Sequence, residues 1–540
     1  MRSPTLSLLV GACSILAETA SGSAVSRQSL RCSSNHFTFP TILGADLLSI
    51  TANEAYDYTQ LSLAPGSSEI LPYTIDFCNV TVIYTHPGWN DTVSVSAWLP
   101  LSDWNNRLWA LGGGGYSASL GPLQLTQAVA KSYAAIATDA GHTDALADVT
   151  NPAWALANPG NLNLYLLENF ASRSLHELTI IGKHITAQYY DVGPEYSYFA
   201  GCSGGGRQAL EIAQRFPNAY DGILAVAPAI NIDTFVPAAY WAQHVMYQLD
   251  YFPPPCEVEA FTQAAIQACD DLDGVRDGII SAPERCGFDA SSVVGEAFSC
   301  NGTTRHLTEK GARVVQAAWD GPHRAGIGWP GPNKDAPISA QYAGTQCDSN
   351  GTCTPSNMAN LISGFLKYFL AKDPAYDTTT MTSDDFFHYL KQSYRDFHQL
   401  LGSADPDLSD LKASGTKLLM WQGLADEAIP PAGNIAYYKQ VLSLDPNTTG
   451  YYRFFLAPGV KHCFGGPGPM PNGAFDQLRS WVENGTVPEV LEAKFPDGRA
   501  RPLCPLPAKQ IYTGGDPHLV SSWTCDASGA AELLVVNGEE

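Results

Sequence analysis

Short hydrophobic runs along residues 80–226 predict a series of β-strands. Residues 80–84 and 93–98 alternate between apolar and polar positions, as antiparallel strands do. Four further runs are mostly apolar and β-prone: residues 108–111, 133–138, 196–200 and 222–226. Such runs are typical of strands that are buried on both faces. The segments 164–189 and 208–216 have helical periodicity, so strands alternate with helices, which predicts a mostly parallel sheet in an α/β fold.

The strand pattern resumes near the C-terminus after a long interruption. Residues 417–423 and 451–456 have the composition of strands, and a helix is predicted between them at residues 434–442. From residue 228 to about residue 410 the sheet pattern is absent, and the sequence is rich in turns, aromatic residues and cysteines. We interpret this segment as an insertion that forms a lid over the strand ends. Residues 33–75 carry weak signals and are predicted to be a loop-rich entry to the fold.

One turn in this pattern has the sequence Gly-x-Ser-x-Gly, at residues 201–205. It lies between a predicted strand and a predicted helix, which is the context of a nucleophile elbow. The glycines are needed because the turn is too sharp for side chains at its flanks. Ser203 would then project from the strand end as a nucleophile. The alternative is a glycine-rich turn that contains a serine by chance.

An aspartate and a histidine follow the two later strands. Asp426 comes after residues 417–423, and His462 comes after residues 451–456. The chain order Ser, Asp, His is that of the α/β-hydrolase fold, so we predict this fold with a large inserted lid. His462 would take the proton from Ser203, and Asp426 would orient the imidazole, while an acyl-enzyme forms and is then hydrolysed by water.

Rival acid and base candidates are Asp139, His142 and Glu427, which fit the chain order or the strand positions less well. They remain alternatives to Asp426 and His462 at this stage.

Four consecutive glycines at residues 112–115 follow an early predicted strand. In α/β-hydrolases a loop at this place lends a backbone N–H group to the oxyanion hole, and glycine lets the backbone approach the substrate closely. The first donor would be the N–H group of Gly204. We assign the second to Gly114, although the run itself leaves the choice of glycine open. The alternative is a flexible loop.

Composition excludes several partners and indicates the compartment. The chain has 540 residues, 30 basic against 53 acidic, and a net charge of -23, which argues against nucleic acid or an anionic membrane as a partner. Arg2, the apolar run 6–17 and small residues up to Ala24 predict a signal peptide over residues 1–24, and hence secretion. No later stretch approaches the roughly 20 apolar residues of a membrane span.

Cysteines and glycosylation sequons agree with an oxidising compartment. Of 13 cysteines, Cys13 would be removed with the signal peptide, which leaves an even number and favours disulfides over metal thiolates. Sequons of the form Asn-x-Ser/Thr start at Asn79, Asn90, Asn301, Asn350, Asn447 and Asn484. We expect several of them to be glycosylated and therefore exposed.

An acidic loop with two glycine turns occupies residues 270–279, inside the predicted lid. Its side-chain oxygens suit Ca²⁺, and carboxylates this close repel one another unless a cation is bound. The loop is not an EF-hand, because Asp277-Gly278 and the missing late glutamate break that pattern. The alternative is a solvated acidic turn.

Cys202 precedes the candidate serine, and Cys463 follows the candidate histidine. If Ser203 and His462 meet within hydrogen-bond reach, these cysteines are close enough for a disulfide. The combination of Cys202-Ser203, Asp426 and His462-Cys463 resembles the tannase and feruloyl esterase family. The resemblance extends to the elbow, the acidic loop and the sequence Arg-Pro-Leu-Cys at residues 501–504, and it is closest to fungal members.

The resemblance implies a secreted α/β-hydrolase whose lid binds structural Ca²⁺. Its ligands would be the side chains of Asp270, Asp273 and Asp277 and the backbone oxygens of Val275 and Ile279. By resemblance, four disulfides join Cys32 to Cys78, Cys202 to Cys463, Cys269 to Cys286, and Cys504 to Cys525. Cys347 and Cys353 flank a short loop and are expected to pair locally, which leaves Cys256 and Cys300 for each other.

These observations predict four segments and one activity. The segments are a signal peptide (1–24), a catalytic domain in two parts (25–227 and 411–540) and a lid (228–410). We expect a secreted serine ester hydrolase for phenolic-acid esters, feruloyl, cinnamoyl or galloyl, in small-molecule or polysaccharide-linked form. The alternatives are a secreted serine peptidase of the same fold, disfavoured by the calcium loop and the cysteine pairing, and an inactive binding relative, which would be expected to lose a triad member.

Overall fold

The computed structural model describes residues 31–142, 149–356 and 359–528. The predicted signal peptide at residues 1–24 lies outside these ranges. Within them, none of the helices has the length and apolar character needed to cross a membrane.

A nine-stranded sheet forms the centre of the molecule. Its strands are β1 (Asp46–Leu63), β2 (Ile70–Thr85), β3 (Val93–Pro100), β4 (Arg107–Leu111), β5 (Ala134–Thr138), β6 (Tyr196–Cys202), β7 (Gly222–Val226), β8 (Lys417–Gly423) and β9 (Tyr452–Ala457). Their spatial order is β1-β2-β3-β5-β4-β6-β7-β8-β9. The pairs from β1 to β5 are antiparallel, and every pair from β5 to β9 in this order is parallel. The sheet is therefore mostly parallel, as predicted.

The prediction of a loop-rich entry at residues 33–75 is wrong. Most of this segment is β1 and the beginning of β2, which pair in antiparallel register. β1 is an edge strand, and of its residues only Ser62 is buried. Its register also shifts twice, between Leu47 and Ser49 and between Ala55 and Tyr58. A strand without a buried face lacks the clean apolar–polar alternation from which strands are predicted.

Helices cover both faces of the sheet and fill the insertion. They are α1 (Pro122–Ala130), α2 (Leu164–Glu168), α3 (Ser174–Tyr190), α4 (Gly204–Arg215), α5 (Ile232–Ala239), α6 (Trp241–Leu249), α7 (Pro255–Cys269), α8 (Glu309–Asp320), α9 (Ala359–Gly364), α10 (Ser383–Leu401), α11 (Ser409–Ser414), α12 (Pro431–Leu444) and α13 (Ala474–Asn484). Apolar residues of α3, α4 and α12 form the core on one face of the sheet, and those of α1 and α13 form the core on the other. A π-helical turn at Asn169–Arg173 separates α2 from α3, where the sequence predicts one continuous helix.

The segment between β7 and β8 builds a mainly helical unit, whose core also takes in residues that precede β7, such as Tyr116, Leu167 and Phe170. It contains α5 to α10, and its core is a third cluster that includes Phe261, Val315 and Phe365. This unit occupies the segment that we interpret as a lid, and both its role as a lid and the boundaries at residues 228 and 410 stay predictions. Short antiparallel hairpins lie outside the central sheet: Leu156–Asn158 with Asn161–Leu162, Ala297–Cys300 with Thr303–His306, His323–Arg324 with Ile327–Gly328, Thr345–Cys347 with Cys353–Pro355, Leu491–Lys494 with Ala500–Leu503, and Lys509–Tyr512 with Trp523–Asp526.

Six disulfides cross-link the described chain, and each joins two cysteines that the sequence analysis paired. They are Cys32–Cys78, Cys202–Cys463, Cys256–Cys300, Cys269–Cys286, Cys347–Cys353 and Cys504–Cys525. Three of them, those of Cys256, Cys269 and Cys347, lie within the lid. Only the Cys202–Cys463 bond joins two loops at the carboxyl edge of the parallel strands.

Candidate active site

Ser203 lies in the turn between β6 and α4 with φ 61° and ψ −121°. A non-glycine residue in this conformation is strained, as the nucleophile of an elbow is. Hydrogen bonds of the backbone hold the turn: the Ser203 N–H group donates to the Val226 carbonyl (3.0 Å), and the Ser203 carbonyl accepts from the N–H groups of Arg207 (2.9 Å) and Ala229 (3.0 Å). The half-buried side chain is therefore presented from a fixed backbone.

The glycines around Ser203 are required by the packing of the turn. A Cβ atom on Gly201 would lie 2.3 Å from the carbonyl group of Gly205. A Cβ atom on Gly205 would lie 2.7 Å from the Gly113 oxygen, and one on Gly206 would lie 2.6 Å from the Val226 oxygen. Because each contact is with backbone that cannot move aside, only glycine fits at these three positions.

Asp426 follows β8, and its carboxylate is fully buried. Its Oδ1 atom accepts hydrogen bonds from the N–H groups of Ala428 (2.9 Å) and Ile429 (2.8 Å). Its Oδ2 atom lies 3.0 Å from Nδ1 of His462 and also accepts from the side-chain amide of Gln422 (3.3 Å). Both oxygens are therefore held in place, one by the backbone and one facing the imidazole.

His462 follows β9 and meets two carboxylates. Its backbone N–H group donates to Glu427 (3.1 Å), and its ring faces Asp426. Burial lowers the pKa of His462, but the charges of Asp426 and Glu427 and the hydrogen bond to Asp426 outweigh it, so the pKa is raised from its ordinary value. Burial and the neighbouring Asp426 raise the pKa of Glu427, and His462 opposes them. The imidazolium form of His462 is thus stabilised at this place.

The serine loop and the histidine loop are joined covalently. The Cys202–Cys463 disulfide holds their Cα atoms 5.9 Å apart, directly beside Ser203 and His462. Among the described residues, Ser203 Oγ and the imidazole of His462 are not hydrogen bonded to each other. Such bonds are often long in free enzymes and tighten when the substrate binds. The structure thus brings Asp426 and His462 into contact and ties them to the elbow.

Of the three rival acid or base candidates, only Glu427 lies beside His462. Asp139 accepts hydrogen bonds from the N–H groups of Ser94 and Gly141 (2.8 Å each), and burial raises its pKa to about 6. His142 stacks on Trp154 with ring centroids 3.8 Å apart, and burial lowers its pKa to about 3. Neither residue is hydrogen bonded to Asp426 or His462 in the described part of the chain.

The glycine-rich loop after β4 lies against the elbow. A Cβ atom on Gly204 would lie 2.8 Å from the oxygen and 3.2 Å from the nitrogen of Gly115. Gly204 is the first residue of α4, so its N–H group has no acceptor within the helix. The N–H group of Gly114 donates to the Ser117 carbonyl (3.1 Å), whereas no acceptor is found for that of Gly115 in the described part of the chain. Gly115 is therefore a rival to Gly114 as the second donor.

The acidic loop follows α7 and contacts the C-terminal tail. Asp270 Oδ1 accepts from the N–H groups of Asp277 (3.0 Å) and its two successors, Gly278 and Ile279. Arg501, 1% exposed, forms ion pairs with Asp273 (3.1 Å) and Asp277 (3.0 Å). No three acidic, histidine or cysteine side chains converge into a preformed metal cluster within residues 31–142, 149–356 and 359–528.

The loop nevertheless fits a divalent cation in charge and in ligand type. Asp277 Oδ1 is buried without a hydrogen-bond partner. Asp270, Asp273 and Asp277 carry three negative charges, and Arg501 balances only one of them. Carboxylate and carbonyl oxygens are ligands that Ca²⁺ takes, and the excess negative charge favours a cation.

The sequence alone does not indicate the roles of Arg501 and Gln208, because the residues they contact are distant in the chain. Arg501 is 228 residues from Asp273, and Gln208 is 95 residues from Gly113, to which it is hydrogen bonded. The available signals were local: Arg501 begins the Arg-Pro-Leu-Cys sequence, and Gln208 ends the elbow sequence.

A family model described as "Tannase and feruloyl esterase" matches residues 78–526. A "Probable feruloyl esterase" of Arthroderma benhamiae is 39% identical over 504 residues, which cover 90% of this chain and 92% of that protein. A "Tannase" of Aspergillus oryzae is 31% identical over 559 residues, with the same shares covered.

Solved structures agree with these relatives. The tannin acyl hydrolase from Aspergillus niger superposes with a TM-score of 0.79 at 27% identity, covering 90% of this chain and 92% of that chain. The feruloyl esterase B from Aspergillus oryzae superposes with a TM-score of 0.74 at 24% identity, covering 90% and 98%, a likeness that concerns the fold alone. The predicted α/β-hydrolase fold is confirmed.

Proposed function

Because the chain belongs to the tannase and feruloyl esterase family, we propose that it is a secreted serine esterase that cleaves esters of phenolic acids. As a family member it is a carboxylic ester hydrolase. The proposal rests mainly on the contact between Asp426 and His462. The Cys202–Cys463 disulfide joins the loop that carries His462 to the turn that carries Ser203. An arrangement of this kind supplies a nucleophile, a base and a group that orients the base.

The proposed reaction has two balanced steps. Ser203 Oγ attacks the acyl carbonyl carbon while Nε2 of His462 takes the hydroxyl proton, and the imidazolium then protonates the leaving alcohol. In the second step His462 takes a proton from water, the hydroxide attacks the acyl-enzyme, and the phenolic acid leaves as Ser203 regains its proton. Asp426 holds Nδ1–H of His462 throughout and stabilises the cation.

The negative charge of each tetrahedral intermediate would rest on backbone N–H groups. Gly204 supplies the first, since it follows the nucleophile and starts α4. The second comes from Gly114 or Gly115, and the N–H group of Gly115 is the better candidate, because that of Gly114 is occupied by the Ser117 carbonyl. Such preorganised donors are a large part of the catalysis of acyl transfer.

We propose a hydroxycinnamoyl group as the preferred acyl group and a galloyl group as the second candidate. The relative named as a feruloyl esterase is 39% identical, and the one named as a tannase is 31% identical. Aromatic residues of the segment between β7 and β8 lie near the loop that follows Asp426: the Tyr342 hydroxyl donates to the Ala428 carbonyl (3.4 Å), and Trp329 packs against Gly433 at the start of α12. A flat aromatic acyl group suits such surroundings.

A panel of substrates tests the activity. We expect the purified chain to hydrolyse methyl ferulate and methyl p-coumarate faster than methyl gallate, and to leave peptide amides intact. Hydrolysis of methyl gallate alone would make the chain a tannase. Cleavage of peptides without esters would support the serine peptidase, and binding of the esters without turnover would support the inactive relative.

We also propose that the acidic loop holds a structural Ca²⁺ ion through Asp270, Asp273, Asp277 and the backbone oxygens of Val275 and Ile279. Bound there, the ion would neutralise the carboxylates and brace the lid, with no part in acyl transfer. The buried, unpaired Oδ1 atom of Asp277 and the residual charge of the loop support this assignment.

Secretion is part of the proposal. Its support is the signal-peptide pattern at residues 1–24, the six disulfides, and the exposure of most sequons. The asparagines at positions 90, 301, 350, 447 and 484 are exposed, whereas Asn79 is half-buried within β2.

A further inference from the structure

We propose that Gln208 is a positioning residue for ester hydrolysis, because it fixes the glycine-rich loop at the place where the loop can stabilise the oxyanion. The inference rests on the proposed function, since the position of this loop affects catalysis only if esters are cleaved at Ser203. Gln208 lies on α4, five residues after Ser203, and is 1% exposed.

The side-chain amide of Gln208 holds the loop at two points. Its Oε1 atom accepts a hydrogen bond from the N–H group of Gly113 (2.8 Å), and its Nε2 atom donates to the carbonyl of Ala118 (3.2 Å). The fit is tight, because a Cβ atom on Gly112 would lie 2.7 Å from Oε1. One amide therefore connects the first and the last part of the loop to the nucleophile helix.

The peptide groups of Gly113 are held from both sides by the same helix. The Gly113 carbonyl accepts from the N–H group of Gly205 (3.1 Å), while its N–H group is bound by Gln208. Gly205 and Gln208 are three residues apart on α4, so they lie on one face of the helix. The loop is thus attached to a rigid element and not to another loop.

The part of the loop between these points faces the elbow. Gly114 and Ser117 close it with two backbone hydrogen bonds of 3.1 and 3.0 Å. Gly115 then lies against Gly204, within 3.2 Å of where a Cβ atom of Gly204 would be. α4 therefore positions three groups of the site: Ser203, which directly precedes the helix, the N–H group of Gly204, and the N–H group that the glycine-rich loop contributes.

The chemistry of the amide explains why this position holds glutamine. The site needs one acceptor for Gly113 and one donor for Ala118, and an amide offers both. A leucine of similar volume would offer neither. A glutamate would keep the acceptor, lose the donor and place a negative charge beside a loop that must stabilise negative charge.

Gln214 provides a matched control on the same helix. It is part-buried, and its amide is also fully used: Nε2 donates to the Ser403 carbonyl (2.8 Å) and to the Tyr437 hydroxyl (3.1 Å), and Oε1 accepts from the N–H group of Asp405 (3.3 Å). None of these partners belongs to the glycine-rich loop. Loss of either amide removes buried hydrogen bonds from α4, but only loss of Gln208 releases the loop.

The experiment compares Gln208→Leu, Gln208→Glu and Gln214→Leu in the mature chain. It measures kcat, KM and Tm with the best ester of the panel, and the affinities for phenylboronic acid, which forms a tetrahedral adduct with the serine, and for the free phenolic acid. For Gln208→Leu we expect kcat to fall by about 10²-fold with KM within about 3-fold, as when one oxyanion donor is lost. Boronic acid should bind more weakly and the phenolic acid unchanged.

Gln208→Glu gives a signature in its pH dependence that a purely structural role would not produce. Its kcat relative to that of the wild type should rise as the pH falls, because protonation removes the charge and restores a donor. Gln214→Leu should keep kcat within about 3-fold even where its Tm falls as much as that of Gln208→Leu.

Three results would overturn the inference. A folded Gln208→Leu variant with wild-type kcat would do so. Equal losses of kcat in the Gln208 and Gln214 variants, in step with Tm, would reduce Gln208 to a structural role. If Gln208→Leu does not fold, a Gln208→Glu variant with wild-type kcat at all pH values is decisive against the inference. Failure of the proposed function is distinguishable, because the wild type would then cleave no ester of the panel.

Discussion

The two carboxylate oxygens of Asp426 bind different groups, and this arrangement prepares His462 to act as the base. The backbone N–H groups of Ala428 and Ile429 bind Oδ1, while Oδ2 faces His462 and also accepts from the amide of Gln422. Since both oxygens are buried, they are shielded from solvent and act on the imidazole at low dielectric. The imidazole therefore has one tautomer favoured, with its proton on Nδ1 and its free Nε2 available as the base.

The first prediction concerns pH. His462 must be neutral to act as a base, and the carboxylates raise its pKa above the ordinary value of 6.5. We therefore expect kcat/KM to be low in acid and to rise with pH to a plateau, with a midpoint above 6.5. In Asp426→Asn the charge of Asp426 is lost while burial and Glu427 remain, so the midpoint should fall below that of the wild type while kcat drops by about 10⁴-fold. A pH–rate profile of both proteins is the measurement, and an unchanged midpoint in Asp426→Asn would contradict this account.

Residues of the candidate triad could be predicted from the sequence because each follows a strand in a fixed chain order. Gln208 and Arg501 could not, since their roles depend on contacts across 95 and 228 residues that no local pattern encodes. The same limit applies to the choice between Gly114 and Gly115. Gly115 is the better candidate only because the N–H group of Gly114 donates to the Ser117 carbonyl. The sequence therefore indicates which residue types can act, but it does not show which distant residues they contact.

At the scale of elements, the elbow and the histidine loop depend on one disulfide for their spacing. The Cys202–Cys463 bond closes a loop of the chain that spans the whole lid, with a sequence separation of 261 residues. The strands β4 to β9 could be predicted from the sequence because they are buried and their residues are mostly apolar. β1 was missed, because an exposed edge strand keeps no such run.

Replacement of Cys202 and Cys463 by alanine should lower activity more than secretion. The two loops would still be attached to β6 and β9, so the fold remains, but a displacement of about 1 Å costs about 10²-fold in rate. We expect kcat to fall by that order, while the secreted yield falls less. Peptide mapping without reduction checks the bond itself, and finding both thiols free in active wild-type protein would refute this role.

Glycosylation should distinguish Asn79 from Asn90. Asn79 lies in the middle of β2, opposite Asn53 on β1 and Trp98 on β3, and its amide oxygen is buried, so a glycan on its amide nitrogen would displace the side chains that pack on this face of the sheet. Asn90 is exposed in a turn. Mass spectrometry of peptides from active secreted protein should find a glycan at Asn90 and none at Asn79. A glycan at Asn79 in active protein would contradict this expectation.

At the scale of the whole molecule, the tail and the lid are held together at the acidic loop. Arg501 lies on the tail hairpin, stacks on Trp523 with a separation of 3.5 Å, and pairs with Asp273 and Asp277 of the lid. The Cys504–Cys525 disulfide joins the end of this hairpin, Leu491–Lys494 with Ala500–Leu503, to the following hairpin, Lys509–Tyr512 with Trp523–Asp526. A cation in the loop would therefore stabilise the lid and the tail at once.

Removal of calcium should lower the Tm, and added Ca²⁺ should restore both Tm and activity, because an ion that binds only the native state stabilises it by mass action. Asp273→Ala should weaken this response without changing which ester is preferred. Asp271→Ala is the matched control, since Asp271 belongs to the same loop but pairs at the surface with Arg276. Purified active protein that contains no metal and shows no calcium-dependent shift in Tm would show that the loop is only an acidic turn.

The central claim is that Ser203 is the nucleophile of an ester hydrolase, and the kcat of Ser203→Ala tests it most directly. Ser443→Ala, at an exposed position of α12, is the control. With the best ester of the panel, we expect Ser203→Ala to keep the wild-type Tm within a few degrees and to lose about 10⁶-fold in kcat, since triad residues act as a unit. A folded Ser203→Ala variant that hydrolyses the ester as fast as Ser443→Ala would contradict the account.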